Sequence, residues 1–436
     1  MISNLLFYGE GAIVFLVILV VLVGAHEYGH YLFARLFNMG VEEFSIGMFG
    51  AKPLVTWRRK TYRLPVRPGE DPYKTSSVSG FNMESAGPAK PVHVVDTPSG
   101  QMIEETTDFT VRPWPIGGFV RIKGMMPEED GSETKIVGGF YSKPPIQRLI
   151  VLLAGPAFSV LSGILVMIPV FMTVGDVRPS NEPKIVSMLQ EGVAYKAGMR
   201  PGDTVLEVNG APIHSFLELV EMTRSSDGKP LAITFSDKNV TRTVTVTPTL
   251  SEEPTPVLGS DLTPTGEMKR QWLLGLVAKG ALKRLSLADA TMAAIDVPIK
   301  TVVNLLGAIK APSTAKDSLG GPGTMLSVTS EAVQTGFSSV VEVAAIISIS
   351  VGILNLLPIP PLDGGQMVVA FAEMLRGGRR LSMRVQGTVS TVGLGLVVLL
   401  IVTAFAADFQ RFEGPKKPPP KIVSQEKTDK PDKPAK

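Results

Sequence analysis

Four long apolar stretches dominate the pattern of hydrophobic and polar positions along the 436-residue chain. They cover residues 11–34, 149–175, 343–362 and 385–407, and each reaches the length of about 20 apolar residues with which a helix crosses a bilayer. We therefore expect a polytopic α-helical membrane protein with about four transmembrane helices embedded in the lipid bilayer. An even number of spans places both termini on the same side of the membrane.

The loop after the first span, residues 39–148, carries a different pattern. Phe44, Ile46 and Met48 alternate with smaller or polar residues, and residues 114–124 contain a short apolar run after two glycines. A period of two is typical of strands, so we expect a small membrane-associated β element. Residues 65–108 are rich in Pro, Gly, Ser and Thr and predict an irregular insertion. A strand edge could hold an extended substrate, and a plain structural hairpin is the alternative.

Residues 176–250 predict one small external α+β domain. Short β-rich runs at 184–186, 204–208, 231–235 and 243–247 are separated by turn residues. The run AGMRPGD at 197–203, followed by VLEVNG at 205–210, resembles the signature of bacterial PDZ domains. Such domains bind peptide ends or extended strands at a sheet edge, and some act only as spacers, so both roles stay open.

The other segments are assigned by composition. Residues 251–266 are a proline-rich linker, 286–311 fit a helix on the membrane surface interrupted at Pro298, and the glycines at 320–323 turn the chain toward the third span. Residues 414–436 are rich in Pro and Lys and are expected to be disordered. The predicted division is a first transmembrane helix 1–38, a loop 39–148, a second helix 149–175, a PDZ-like domain 176–250, a linker and surface helix 251–342, a third helix with its loop 343–384, a fourth helix 385–407 and a tail 408–436.

Charge sets the expected orientation. The connection 364–384 contains four arginines, at 376, 379, 380 and 384, against the single acid Glu373, so it should be cytoplasmic. Both termini and the PDZ-like domain then lie outside. The net charge of +3 is too small to indicate a nucleic-acid partner. The chain has no cysteine, which excludes disulfides and thiolate ligands.

The candidate chemistry begins with His26-Glu27-Tyr28-Gly29-His30, near the end of the first apolar stretch. Positions i and i+4 share a helix face, so His26 and His30 can bind one metal ion while Glu27 handles a water proton. Short matches to this pattern occur by chance, but ionisable groups inside a membrane helix are costly and mark functional sites.

A catalytic zinc ion usually takes three protein ligands, so the site needs one more. Asp363 is the best candidate, because it follows the third span just after three prolines that break the helix. With four spans, the first and third helices run in the same direction. His26, His30 and Asp363 then reach the same leaflet, near the cytoplasmic face.

At this point the sequence closely resembles the site-two protease family of intramembrane zinc metalloproteases, in particular its bacterial RseP-type members with PDZ domains. HEYGH fits the HExxH motif, residues 355–363 fit the family's NxxPxPxLDG motif, and one PDZ-like domain lies between the second and third spans. Two positions depart from the family pattern: Ser159 stands where Asn is usual, and Gln366 where His is common.

The resemblance implies Zn²⁺ bound by His26, His30 and Asp363, with Glu27 as general base and Asn355 as a substrate contact. It implies regulated intramembrane proteolysis in the bacterial inner membrane. The substrates would be single-span membrane proteins such as an anti-sigma factor, or remnant signal peptides. Two other classes of function are alternatives: a transporter or metal-handling protein, and a PDZ scaffold with a vestigial site.

Overall fold

The computed structural model describes residues 2–48, 52–74, 92–125, 132–179, 182–237, 240–251, 255–258, 264–277, 280–310, 321–413 and 422–424. The chain divides into two compact units. The first contains Met1–Val170, Leu287–Val302 and Leu319–Phe409, and the second contains Phe171–Ser286, Val303–Ser318 and Gln410–Lys436.

The described residues contain nine α-helices, of which the third and fourth belong to the second unit. They are α1 Ile2–Leu36, α2 Pro145–Thr173, α3 Val193–Lys196, α4 Phe216–Ser225, α5 Leu287–Lys310, α6 Pro322–Thr335, α7 Phe337–Asn355, α8 Asp363–Leu375 and α9 Met383–Glu413. Two short 3₁₀ turns, Ser132–Lys135 and Phe140–Ser142, precede α2.

Five helices in the described part of the chain are long and apolar enough to cross a membrane, which supports a polytopic membrane protein. Four of them coincide with the spans predicted from hydropathy. Their segments are Phe7–Leu36, Pro145–Thr173, Phe337–Asn355 and Arg384–Phe409. The fifth, Leu287–Gly307, has the lowest mean hydropathy of the five, 1.2, and covers the stretch predicted to lie on the membrane surface.

A five-stranded sheet follows α1 and belongs to the same unit. Its strands are β1 Val41–Met48, β2 Val55–Pro65, β3 His93–Thr97, β4 Gly100–Val111 and β5 Trp114–Ile122. The order is β2-β4-β1-β5, with β3 also on β4. Strands β1 and β4 are parallel, and the other pairs are antiparallel. The predicted β element is therefore present, with β5 at one end of the sheet.

A buried ion pair joins the middle strands of this sheet. The Glu43 carboxylate accepts hydrogen bonds of 2.7 Å from Arg112 and from the Thr110 hydroxyl. Arg121 on β5 lies 3.6 Å from the other oxygen of Glu43. Because a buried carboxylate is costly unless paired, these contacts hold β1, β4 and β5 together.

The predicted irregular insertion at 65–108 is wrong for its second half, which forms β3 and most of β4. Charged side chains on β4 do not indicate a strand by themselves, because the residues that pair with them lie elsewhere in the chain. Glu104 pairs with Arg63 at 2.9 Å, and Glu105 pairs with Lys123. Residues 75–91 of this segment lie outside the described residues.

The second unit contains a small α+β domain. Its four-stranded sheet has the order β11-β10-β8-β9, and its core includes Met199, Leu219, Ile233 and Phe235, all nearly inaccessible to solvent. Its strands are β6 Asp176–Pro179, β7 Ser187–Leu189, β8 Thr204–Val208, β9 Ala211–Pro212, β10 Leu231–Asp237, β11 Val240–Val246, β12 Thr249–Leu250, β13 Thr255–Leu258, β14 Pro264–Lys269, β15 Trp272–Leu273, β16 Leu276–Val277, β17 Gly280–Lys283 and β18 Ile422–Ser424.

Three parts of the chain differ from the sequence prediction here. The domain extends beyond residue 250, because β16 pairs with β7 and β17 pairs with β6. The predicted linker contributes the paired strands β13 and β14. Within the tail predicted to be disordered, β18 pairs with β7. The first and third differences come from pairing between distant segments, which local composition does not reveal, whereas β13 and β14 pair locally within the proline-rich stretch.

Two predicted connections in the first unit are helical. Residues 363–375 form α8 rather than a loop, and α6 begins at Pro322 within the predicted glycine turn. Glu373 explains the first difference, because it lies buried on α8, 2.7 Å from Arg148 of α2. The arginine-rich connection is thus shorter than the sequence suggested.

Asp408 of α9 caps the N-terminus of α6. Gly321 at the cap position has no side chain to accept the first backbone N–H groups. Asp408 accepts them instead, from Gly321 at 3.1 Å, Gly323 at 2.7 Å and Thr324 at 3.3 Å. A Cβ at residue 321 would lie 2.4 Å from the Asp408 carboxylate, so only glycine leaves room for this contact.

We predict that Asp408→Ala loosens the first turn of α6. Loss of a capping carboxylate costs about 1–2 kcal/mol, so exchange of the α6 amides should rise roughly tenfold. Hydrogen exchange of the purified protein measures this. Asp408→Asn keeps one acceptor oxygen, so its α6 amides should exchange at rates between those of the unaltered protein and Asp408→Ala. Equal exchange in all three proteins would show that the carboxylate does not hold α6.

Candidate metal centre

Two histidines lie on the inward face of α1. His26 and His30 are one helical turn apart and both are buried, with their ring centroids 5.0 Å from each other. The i, i+4 spacing predicted from HEYGH is therefore realised on a continuous helix.

Helix α2 fixes the orientation of both rings. His26 Nδ1 lies 2.9 Å from the Ser159 hydroxyl, and His30 Nδ1 lies 2.8 Å from the Val151 carbonyl. The second ring nitrogen of each histidine is left to face the interior of the site. His26 Nε2 is 3.1 Å and His30 Nε2 is 3.4 Å from the same oxygen of Asp363.

These three side chains fit a metal ion. One donor atom from each of His26, His30 and Asp363 lies within 4.8 Å of the others. Two ligands at about 2.1 Å from a zinc ion, separated by the tetrahedral angle, are about 3.4 Å apart. The observed nitrogen-to-oxygen distances match that value. Two imidazoles and a carboxylate, each ring held through its outer nitrogen, are the donors that catalytic zinc sites use.

Asp363 reaches the site because the chain turns sharply after α7. That helix ends at Asn355, Pro358, Pro360 and Pro361 follow, and α8 starts at Asp363 itself. The two glycines after the aspartate allow this turn. A Cβ on Gly364 would lie 2.4 Å from a backbone oxygen, and one on Gly365 would lie 2.2 Å from the Pro360 nitrogen.

Glycines also let the helices around the histidines pack closely. A Cβ on Gly29 would lie 2.4 Å from the Ala154 carbonyl oxygen, and one on Gly155 would lie 2.2 Å from His30 Nε2. Gly352 of α7 similarly faces the Pro156 carbonyl, at 2.8 Å. Small residues at helix contacts allow the backbones to approach each other in membranes. The donor atoms can meet because α1, α2 and α7 approach so closely.

A cavity of about 490 Å³ opens beside the three donors. Glu27 and Asn355 line it, together with residues 117–120 of β5. A methyl group on Gly118 of β5 would lie 3.3 Å from the Glu27 Cγ, so the Glu27 side chain packs against that strand. The structure thus brings all five sequence-predicted site residues to one cavity.

Sequence reasoning missed the residues that orient the ligands. Ser159 was noted only as a departure from the family pattern, and Val151 carried no signal because its contribution is a backbone carbonyl. One sequence feature does point to Ser159. It lies four residues after Gly155 on α2, and residues at this spacing share a helix face.

An apolar helix with paired histidines and an adjacent glutamate, completed by an aspartate just after the break that ends a second apolar helix, defines a membrane-embedded metallopeptidase. The family model described as Peptidase family M50 matches residues 14–68 and 99–400, and the chain therefore belongs to that family. The predicted membership in the site-two proteases is confirmed, and with it the enzyme class, a metalloprotease that acts within the membrane.

Relatives of known designation match along almost their whole length. "Probable protease eep" of Enterococcus faecalis is 28% identical over 437 residues, which cover 92% of this chain and 99% of the relative. "Zinc metalloprotease RasP" of Geobacillus kaustophilus is 28% identical over 435 residues, covering 92% and 98%. "Regulator of sigma-W protease RasP" of Bacillus subtilis is also 28% identical, over 432 residues, covering 92% and 98%.

We predict that Gly155→Ala abolishes metal binding. The added methyl group would overlap the His30 ring, which must then leave its position toward Asp363. Metal content of the purified variant measures the effect. Gly395→Ala on α9, where a methyl group meets no atom within 4 Å, is the matched control and should bind metal normally. Full metal content in Gly155→Ala would contradict the close packing described above.

Proposed function

We propose that this M50 protease hydrolyses a peptide bond within or near a transmembrane segment of its substrate, at a zinc ion held by His26, His30 and Asp363. The convergence of these three side chains from two helices more than 300 residues apart in the chain carries the proposal. The relatives designated zinc metalloproteases support the choice of metal.

Glu27 serves as general base. A zinc ion bound there would lower the pKa of water toward about 7 and polarise a peptide carbonyl. Glu27 lines the same cavity as the three ligands, so its carboxylate can take the proton from the attacking water and deliver it to the leaving amine. The Glu27 side chain packs against Gly118 of β5, and this contact restricts its movement.

Strand β5 holds the substrate in an extended form. In the described sheet β5 pairs only with β1, so its other edge is open to strand addition. Gly118 of β5 packs against the Glu27 side chain, so the strand lies beside the proposed base. Asn355, which also lines the cavity, contacts the substrate near the cleaved bond.

The substrate class is a single-span membrane protein. One relative carries the designation regulator of sigma-W protease, which supports an anti-sigma factor as the substrate of this chain. Remnant signal peptides have the same chemistry, a short apolar helix with one accessible end. The PDZ-like domain would select among such substrates from outside.

Four helices cross the membrane in this proposal, and α5 does not. Asp363 follows the C-terminal end of α7, and His26 and His30 lie in the C-terminal half of α1, so the two helices must run in the same direction. A crossing by α5 would reverse α7 and move Asp363 to the opposite leaflet. Helix α6 could not restore the direction, because its 14 residues span only about 21 Å of a hydrocarbon core of about 30 Å. The arginines after α8 support a catalytic side at the cytoplasmic face of the inner membrane.

We predict that Glu27→Gln abolishes cleavage and retains zinc, because it removes the base and leaves all three ligands. His26→Ala, His30→Ala and Asp363→Ala should each lose the metal as well. Cleavage of a model transmembrane peptide and the zinc content of the four purified variants test this together. Undiminished zinc in Asp363→Ala would show that the third ligand is misassigned, and cleavage by Glu27→Gln would remove its role as base.

We also predict the topology from single cysteines, which the cysteine-free chain makes straightforward. In intact spheroplasts a membrane-impermeant maleimide should label Lys229→Cys in the PDZ-like domain and Ser313→Cys between α5 and α6. Arg379→Cys should react only after permeabilisation. Labelling of all three in detergent is the control. Protection of Ser313→Cys in spheroplasts would mean that α5 crosses the membrane.

A further inference from the structure

Ser159 contacts a candidate ligand without belonging to the ligand set. Its side chain is almost fully buried in α2, and its hydroxyl oxygen lies 2.9 Å from His26 Nδ1. Once His26 Nε2 binds a metal ion, Nδ1 carries the ring proton and must donate it. The Ser159 hydroxyl has two acceptor lone pairs and can take that hydrogen bond.

The position of Ser159 is itself fixed by α2 and α7. Its backbone carbonyl accepts hydrogen bonds from the Ser348 hydroxyl at 2.8 Å and from the Ser162 hydroxyl at 3.0 Å. These two hydroxyls are 3.1 Å apart. Gly352 packs directly beside the Ser159 Cβ, where a methyl group would approach to 3.0 Å. The hydroxyl of Ser159 is therefore presented to His26 from a rigid helix contact.

The two histidines differ in how they are oriented. His30 Nδ1 is paired with the Val151 carbonyl, a backbone group that no side-chain substitution removes. His26 Nδ1 depends on one replaceable side chain. A single side chain outside the ligand set, that of Ser159, thus controls the orientation of His26 through a hydrogen bond.

We propose that Ser159 is a positioning residue for metal binding: its hydroxyl accepts the His26 Nδ1–H bond, fixes the ring tautomer and directs Nε2 toward Asp363. Hydrogen bonds of this kind to metal-bound histidines raise ligand basicity and hold ring orientation. The inference rests on the proposed zinc site and deepens it by naming what sets its affinity.

The experiment compares zinc dissociation constants of purified full-length proteins by competition with a chromogenic chelator. Ser159→Ala should bind zinc about 10–100-fold more weakly, the loss typical of removing such a partner. Excess zinc should restore most of its peptide cleavage. Ser159→Thr keeps the hydroxyl and should recover affinity. Ser330→Ala removes a buried serine hydroxyl on α6 that donates to the Leu326 carbonyl of its own helix, and this variant should bind zinc like the unaltered chain.

Each possible outcome either supports or contradicts the role proposed for Ser159. Equal zinc affinity in Ser159→Ala and the unaltered chain would overturn the proposal. So would an equal loss in Ser330→Ala, because the effect would then follow from removing any buried serine hydroxyl and not from the contact with His26. Thermal unfolding of the zinc-free proteins checks that the variants are folded. Failure of the unaltered chain to bind one zinc ion per molecule would instead reject the metal centre itself, so the two failures are distinguishable.

Discussion

Two imidazoles and a carboxylate share one apolar interior in this protein, where a charged group without a partner costs several kcal/mol. The cost is offset only if the three groups meet one another or a common cation. His26 and His30 come from α1, and Asp363 from the start of α8. The requirement that these side chains converge therefore fixes which helices are neighbours. It also fixes the direction of α7 relative to α1.

Close helix packing is the means by which that convergence is achieved. Gly29, Gly155 and Gly352 lie where any side chain would strike a neighbouring backbone or the His30 ring. Because the helices touch, α2 can supply a hydrogen-bond partner to the outer nitrogen of each histidine. The break after Asn355 then brings in the carboxylate without continuing the helix. Polar backbone exposed by such a break is tolerated where it lines a protein cavity.

The sequence predicted the parts of this arrangement that have local signals. Apolar length located the four most hydrophobic helices, and the His26 and His30 spacing located the site. The HExxH and NxxPxPxLDG motifs indicated the family. The predictions that failed concern elements with distant partners. Residues 65–108 are rich in Pro, Gly, Ser and Thr, and the partners that stabilise Glu104 and Glu105 on β4, Arg63 and Lys123, are not apparent from local sequence. Helix α8 was missed because the burial of Glu373 requires Arg148 from another helix.

The open edge of β5 connects this architecture to the chemistry. A transmembrane helix resists hydrolysis because its peptide groups are hydrogen-bonded within the helix, and unwinding it in an apolar setting leaves N–H and C=O groups that each cost several kcal/mol. A strand edge supplies partners for those groups as they are released. Because Gly118 of β5 also packs against the Glu27 side chain, the strand that would receive the unwound segment lies beside the proposed base. Unwinding and proton transfer would then be served by one rigid element, which is anchored to the sheet through β1.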